Sequence, residues 1–300
     1  MSHNMGILLE NCLLSIERNT PGMRVVIFDD FSTDPVTIGV LKKYRNRFEV
    51  IGSSEGDDRE QKTGGLHANM NRALQYAVKH GWEYLWFVQD DMQIVRKVDE
   101  SVEQEYSRIF AADEGIAQIR CVFMKSPVVS PDHTVESWVP GGTGVHYERI
   151  HGARGILDTG IVSIPRLVEA GFRFVPGERN NSQRGCAVGI RSVIPKNPLY
   201  MWLPWPPTAI SRLPPVKRAI NRFTDRIFRV GYHPFEDMSL ADVTAMTSRP
   251  ADELPYAERF LRLDGEQRVP RPWHYEHSYT YVPALLRELK QGRWPWRDSR

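Results

Sequence analysis

The chain has 300 residues, 41% of them hydrophobic and 25% charged, with a formal net charge of +2. Those values suit a globular protein with one large domain or one domain plus an appendage, and the charge gives no global case for nucleic-acid binding. Cys12, Cys121 and Cys186 are scattered and lack a CxxC spacing, which argues against a disulfide framework or a zinc site and fits a reducing compartment such as the cytoplasm. No apolar run approaches the ~18 residues of a membrane span, and the first residues read as a helix rather than a signal peptide.

Leu8, Leu9, Cys12, Leu13 and Ile16 recur at helical spacing, so residues 5–18 are expected to form an amphipathic helix that stops at Pro21-Gly22. Residues 24–28 read as a buried strand, Pro35 to Tyr44 as a short helix, and Phe48 to Ile51 as a strand. After a polar loop, Gly64-Gly65 opens a helix through His80, with Gly81 as its stop. Residues 84–88 form the next strand, Val98 to Ala111 a helix, and Ile116 to Met124 a further strand. Strands alternating with helices predict an α/β fold with a mostly parallel central sheet flanked by helices.

Beyond Ser126, Pro and Gly become frequent and periodicity weakens. Ile161 to Ile164 is strand-like, and Arg166 to Ala170 is a helical turn ending at Gly171. A Pro- and Trp-rich stretch, Pro198 to Thr208, precedes a basic amphipathic helix from Val216 to Val230, and Pro283 to Gln291 is the last clear helix. The expected division is a catalytic domain over 1–195 and an irregular helical C-terminal extension over 196–300. Arginines beside a Trp-rich loop are one way to lie on an anionic membrane surface, here through 198–230, although a helix packed on the domain with solvated arginines reads equally well.

Two apolar runs end in paired carboxylates. Arg24 to Phe28 runs into Asp29-Asp30, and Tyr84 to Val88 runs through Gln89 into Asp90-Asp91. Ligands of open α/β sheets bind at the carboxyl ends of strands. Acids there are suited to Mg2+ or Mn2+, which take oxygen ligands. The pattern suggests a site for a nucleotide diphosphate and its metal. The structural alternative for either pair is a capped turn.

Five segments in order resemble the family 2 glycosyltransferases, which have a GT-A fold. They are "NMGILLENCLLSI" (Asn4 to Ile16), "VVIFDDFSTD" (Val25 to Asp34), "GGLHANMNRAL" (Gly64 to Leu74), "FVQDDMQ" (Phe87 to Gln93) and "TGIVSIPRLVEAGF" (Thr159 to Phe172). The resemblance covers residues 4–194. It implies transfer of a sugar from a nucleotide diphosphate sugar, most commonly a UDP-sugar, to a glycan or lipid-linked acceptor, by a metal-assisted inverting reaction.

By that resemblance Asp91 is the metal ligand, and Asp90 contacts the ribose or sugar. Asp29 or Asp30 contacts the base, with Ser32 closing the turn. Gly64, Gly65 and Asn71 belong to the nucleotide-sugar segment, and Asp158, Thr159 and Gly160 lie on the acceptor side. The general base is Glu178, with Asp237 in reserve. Departures from the family pattern are Gln89 at the first acidic position of the metal segment, Met70 where arginine is usual, and Arg179 where aspartate is usual.

The family's first strand would end just before Asn4, where only three residues stand. Losing about five buried apolar side chains at ~1.5–3 kcal/mol each would exceed much of a net stability of ~5–15 kcal/mol. The expectation is therefore a natural product that starts further upstream, rather than a fold lacking that strand. The rival functional readings are a nucleotidyltransferase and a non-catalytic protein that binds a sugar nucleotide.

Overall fold

The computed structural model describes residues 1–52, 65–125, 138–142, 144–150, 152, 154–203, 215–216, 219 and 233–264. The chain falls into two compact units: Met1–Met201 with Asp237–Phe260, and Trp202–Glu236 with Leu261–Arg300. Gly64, the helices expected from Val216 and from Pro283, and most of the Trp-rich stretch fall largely or wholly outside the described residues. In the second unit, Phe235 is buried and forms an antiparallel bridge with Leu263, flanked by Glu236 N–H to Arg262 O at 3.0 Å.

The first unit opens with α1 (Gly6–Asn19), which buries Leu8, Leu9, Cys12, Leu13 and Ile16. β1 (Val26–Asp29) follows, then α2 (Pro35–Tyr44), where Asp34 caps Thr37 N–H at 2.8 Å and Pro35 takes the first turn. β2 (Glu49–Gly52) pairs in parallel with β1, and the two form a sheet of their own. In α3 (Leu66–Lys79) the residues Met70, Ala73, Leu74 and Ala77 are buried at i, i+3, i+4, i+7. Met70 is fully enclosed among Phe28, Phe87 and Val162. A charged guanidinium at that place would lose its hydration among apolar neighbours, so an apolar residue suits it.

β3 (Tyr84–Phe87) and β4 (Met92–Ile94) lead into α4 (Glu100–Ala112), capped by Asp99 on Ser101 and Val102 N–H. The far end of α4 meets Arg166, whose guanidinium donates to Phe110 O at 2.7 Å, Asp113 O at 3.0 Å and Ile116 O. A cation at exposed helix carbonyls is the favourable sign for the helix dipole. Then come β5 (Ile116–Ile119), β6 (Trp138–Pro140), β7 (His146–Arg149), β8 (Gly160–Ser163), α5 (Ile164–Glu169), α6 (Glu178–Ala187), β9 (Arg191–Pro195) and β10 (Tyr200–Trp202). The unit closes with α7 (Leu240–Thr247), held by a Ser239–Asp242 capping box, and a single turn α8 (Ala257–Phe260).

Six strands form one sheet in the order β3-β8-β5-β9-β7-β6, and β10 pairs with β4. The sheet is mixed, which corrects the expectation of a mostly parallel one. β8 inserts antiparallel between β3 and β5, β5 and β9 are parallel, and β7 runs antiparallel to both β9 and β6. The alternation up to residue 124 describes strands joined by helical crossovers. It holds no information on where later strands such as β8 insert. One face carries a core of Phe28, Phe87, Val162, Phe172 and Phe174 under α3 and α5. Phe174 packs edge-on to both Phe87 and Phe172, at 5.3 and 5.2 Å.

Candidate active site

The ends of β1 and β3 converge on one residue, His3. Its backbone N–H donates to Asp90 Oδ2 at 2.9 Å, and its ring Nδ1 lies 2.6 Å from Asp30 O and 3.9 Å from Asp30 Oδ2. The two carboxylate pairs picked out in the sequence therefore share one edge. Asp90 is half-buried, and loss of hydration pushes its carboxyl above the usual range, opposed by the His3 N–H and the chain's amino terminus.

Asp29 is turned into its own loop. Its carboxylate accepts from Ser32 N–H at 3.0 Å and from Ser32 Oγ at 2.6 Å. Ser32 Oγ in turn accepts Asn4 N–H at 3.0 Å, and Asn4 Oδ1 accepts Thr33 and Asp34 N–H. Asp29 and Ser32 thus build the turn that presents Asp30.

Asp30 reaches across to the start of α3, where its carboxylate accepts Gly65 N–H. A Cβ at Gly65 would lie 2.7 Å from Asp30 Oδ1, so a larger residue there would push the carboxylate aside. The free N–H groups of a helix start favour negative charge, and here a carboxylate occupies the first of them.

In the first turn of α3, His67 Nε2 lies 3.1 Å from Asp158 Oδ1, both side chains being largely buried. Asp158 neighbours Glu178 at the start of α6. Crowding by surrounding protein raises the Glu178 carboxyl above its ordinary value. The Arg120 charge opposes the rise and Asp158 adds to it, while His67 and Arg149 weakly oppose it. Glu178 keeps substantial solvent exposure, so it is reachable by a substrate. Arg120 is buried at the end of β5, its Nε has no hydrogen-bond partner among the described residues, and burial lowers its pKa. Hydrogen bonds thus link Asp90 to His3, His3 to Asp30 and Asp30 to Gly65, and separately His67 to Asp158, while Glu178 feels the charges of Asp158, His67 and Arg120.

The remaining expected residues take other places. Asn71 spends its amide on both the N–H and the C=O of Phe174, at 2.9 and 2.8 Å, tying α3 to the segment before α6. Thr159 is buried and its carbonyl accepts from Gln118 at 3.1 Å. Gly160 opens β8 at φ 120°, opposite Phe87. Asp237 is not brought into this group. It pairs with Arg18 at 2.9 Å and with Asn19 at 3.1 Å at the C-terminal end of α1, while His3 stands before its N-terminal end. A helix of 14 residues separates these ends by roughly 20 Å.

Among the described residues no cluster of three or more His, Cys, Asp or Glu is disposed to hold a metal. Asp91, the expected metal ligand, follows Asp90 and is half-buried.

Sequence reasoning missed His3, His67 and Arg120. His67 lies inside the segment "GGLHANMNRAL", and Arg120 follows an apolar run as the acids do. The signal for Arg120 was therefore present, but only negative strand ends were weighed.

No protein-family model matches the chain, and no curated protein matches it. Two similar solved structures are TarS of S. aureus and the mannosyltransferase PcManGT of Pyrobaculum calidifontis, the latter in complex with GDP-Man and Mn2+. TarS is 16% identical with a TM-score of 0.46, over 82% of this chain and 41% of TarS. The mannosyltransferase is 14% identical with a TM-score of 0.42, over 98% of this chain and 74% of that one. This chain thus spans about two fifths of the length of TarS, and similarity at this level assigns it neither activity nor substrate.

Proposed function

We propose that this protein is a glycosyltransferase that moves a sugar from a nucleotide diphosphate sugar to the hydroxyl of a glycan or lipid-linked acceptor, with inversion. The observation that supports it most is the junction at His3, where the ends of two separate sheets set Asp30 and Asp90 on one edge beside the start of α3. The five segments that resemble family 2 glycosyltransferases provide the chemistry for that edge.

In this reading Asp30, fixed by Gly65 and His3, accepts the N–H donors of a uracil or guanine base. Asp90 and Asp91 lie where the diphosphate would rest. A divalent cation bound there with the nucleotide, Mg2+ or Mn2+, supplies charge compensation for the departing diphosphate. Glu178 takes the proton from the acceptor hydroxyl, and its raised pKa makes its carboxylate a stronger base than a solvated one. Asp158 is oriented by His67 and, standing next to Glu178, pushes the Glu178 pKa up, while Arg120 limits how far it rises.

A donor screen tests the proposal. Release of UDP or GDP from one nucleotide sugar in the presence of an acceptor, lost by more than 100-fold in Glu178→Gln with nucleotide binding retained, is the expected result. Release of pyrophosphate instead would point to nucleotidyl transfer. Binding with no turnover of any donor would leave a sugar-nucleotide-binding protein.

A further inference from the structure

Arg120 is a buried charge whose side chain makes no hydrogen bond among the described residues. It follows β5 directly and is 8% exposed, and its backbone N–H donates to Val193 O of β9 at 2.8 Å. The other buried arginines, Arg96 and Arg249, are treated differently by the fold. Arg249 donates to Glu253 O at 2.9 Å and to Asn197 Oδ1 at 3.2 Å, and Arg96 donates to Asn197 O at 3.3 Å. The Arg120 Nε is shielded from solvent and has no hydrogen-bond partner. A buried charge with an idle donor is unfavourable for the chain alone. It is also where the acceptor atoms of a ligand gain most, because no bond within the protein has to be given up.

The backbone fixes Arg120 beside the segment expected on the acceptor side. Gln118, two residues earlier on β5, accepts Leu157 N–H at 2.8 Å and donates to Leu157 O at 2.8 Å and to Thr159 O at 3.1 Å. These bonds clamp residues 157–159 to β5, and Asp158, held by His67, lies inside the clamp. Gly160 then passes so close that a Cβ on it would lie 3.1 Å from Arg120 Cα. β8 lies between β3 and β5, so Arg120 stands two strand spacings, about 10 Å, from the strand that leads to Asp90.

Two further charges reach the same place. Glu178, at the start of α6, acts on Arg120 electrostatically, but the two form no ion pair, so guanidinium and carboxylate stand apart. Arg149, the last residue of β7, acts on both Arg120 and Glu178, and its guanidinium lies 5.8 Å over the Trp138 ring.

We propose that Arg120, with Arg149 beside it, is a binding subsite for a phosphate group carried by the acceptor. Assigning the phosphate to the acceptor rests on the role given to Glu178 under Proposed function. A guanidinium presents its N–H groups as a fixed fork that matches the oxygens of an oxyanion. One fork occupies both oxygens of a carboxylate, whereas a phosphate has oxygens enough for two guanidinium groups at once. Of the neighbouring acids, Asp158 is already paired with His67, which leaves two arginines against the single carboxylate of Glu178. A phosphate held at Arg120 sets a hydroxyl of the same molecule near Glu178. The subsite therefore selects phosphorylated acceptors over neutral ones.

The test is a titration of the full chain with inorganic phosphate, followed by 31P NMR, first alone and then with saturating UDP or GDP and Mg2+. The parent, Arg120→Met and Arg120→Lys are compared, and their thermal melts are recorded. The expected result is phosphate binding by the parent that persists with nucleotide bound. It should weaken by roughly tenfold or more in Arg120→Met and by less in Arg120→Lys. Arg120→Met should melt no lower than the parent, since methionine removes a buried charge that lacks a bonded partner. Equal phosphate binding by parent and Arg120→Met, or none by the parent, would overturn the proposal. An Arg120→Met protein that melts well below the parent would overturn it too, because the guanidinium would then serve the fold. Displacement of phosphate by nucleotide would give Arg120 to the donor diphosphate and overturn the assignment to the acceptor. Acetate binding as tightly as phosphate would overturn the choice of phosphate. Phosphate binding that is lost in Arg120→Met, in a chain that binds neither nucleotide, would uphold the anion subsite and remove the glycosyltransferase reading instead.

Discussion

Replacing Gly65 by alanine probes the site through one atom. The new Cβ would stand 2.7 Å from Asp30 Oδ1 and 3.3 Å from its Cγ, where ordinary contact begins at 3.4 Å. The carboxylate must retreat by about 0.7 Å, which lengthens and misaligns its bond from Gly65 N–H. A hydrogen bond to a charged group contributes ~1.5–3 kcal/mol. If Asp30 positions the nucleotide, displacing it weakens binding, by up to roughly 150-fold were the whole contribution lost. The backbone of Gly65 is not in a left-handed conformation, φ being −67°, so alanine adds no backbone strain. The fold should stay intact, with a melting temperature lower by only a few degrees. Titration calorimetry with UDP and with GDP, each with Mn2+, reads the affinity. Gly52→Ala is the control, because among the described residues nothing lies within 4 Å of its added Cβ. A Gly65→Ala protein that folds and binds nucleotide within twofold of the parent refutes the role given to Asp30.

Further outcomes follow from the electrostatics. The rate of transfer should fall with acid as Glu178 protonates; Arg120→Met should move that limb to higher pH and Asp158→Asn to lower pH, because the two charges act on Glu178 in opposite senses. A pH–rate profile checks both, and shifts of the same sign would be inconsistent with the cluster. Burial raises the Asp90 carboxyl above its unfolded value near 3.8, so the folded chain holds the proton to higher pH than the unfolded chain does. Stability contributed by this group is therefore lost as pH rises from about 3.8 through the folded pKa. Asp90→Asn should melt higher than the parent at pH 7 and alike near pH 3, and a lower melting temperature at pH 7 would contradict the assignment. Asp237→Asn removes an exposed pair with Arg18, worth ~0–1 kcal/mol; the melting temperature should drop by a few degrees at most while transfer stays within twofold. A large loss of transfer would restore Asp237 as a candidate base.

Much of the first half of the fold was legible. Helix faces such as Met70, Ala73, Leu74 and Ala77 repeat at a period that only a buried helical stripe explains, and strand runs such as Tyr84–Phe87 are apolar throughout. The element α6 was not legible as a helix. Its buried residues are Asn181, Ser182 and Gly185, so it has no hydrophobic stripe. It packs by close approach instead, since a Cβ on Gly155 would collide with the Ser182 carbonyl. The place of β8 between β3 and β5 was equally hidden, because its run Gly160–Ser163 specifies a strand but not its neighbours.

The site shows the same division. Acids at strand ends were visible because charge directly after an apolar run is conspicuous, and Asp30 and Asp90 do come together. The connection between them was not visible, because His3 is a polar residue near the chain start with no periodic context. Asn71 carried a motif signal, but its amide is spent on the backbone of Phe174. Two residues can share a motif while one faces the ligand edge and the other holds the frame.

The most direct measurement is nucleotide binding by three proteins side by side: the parent, Asp30→Asn and Asp90→Asn, titrated with UDP and GDP in the presence of Mn2+. Binding by the parent to one of the two nucleotides, weakened at least tenfold in both variants while their melting curves remain cooperative, is what the joined strand ends predict. Binding that both variants retain, or a parent that binds neither nucleotide, would contradict it.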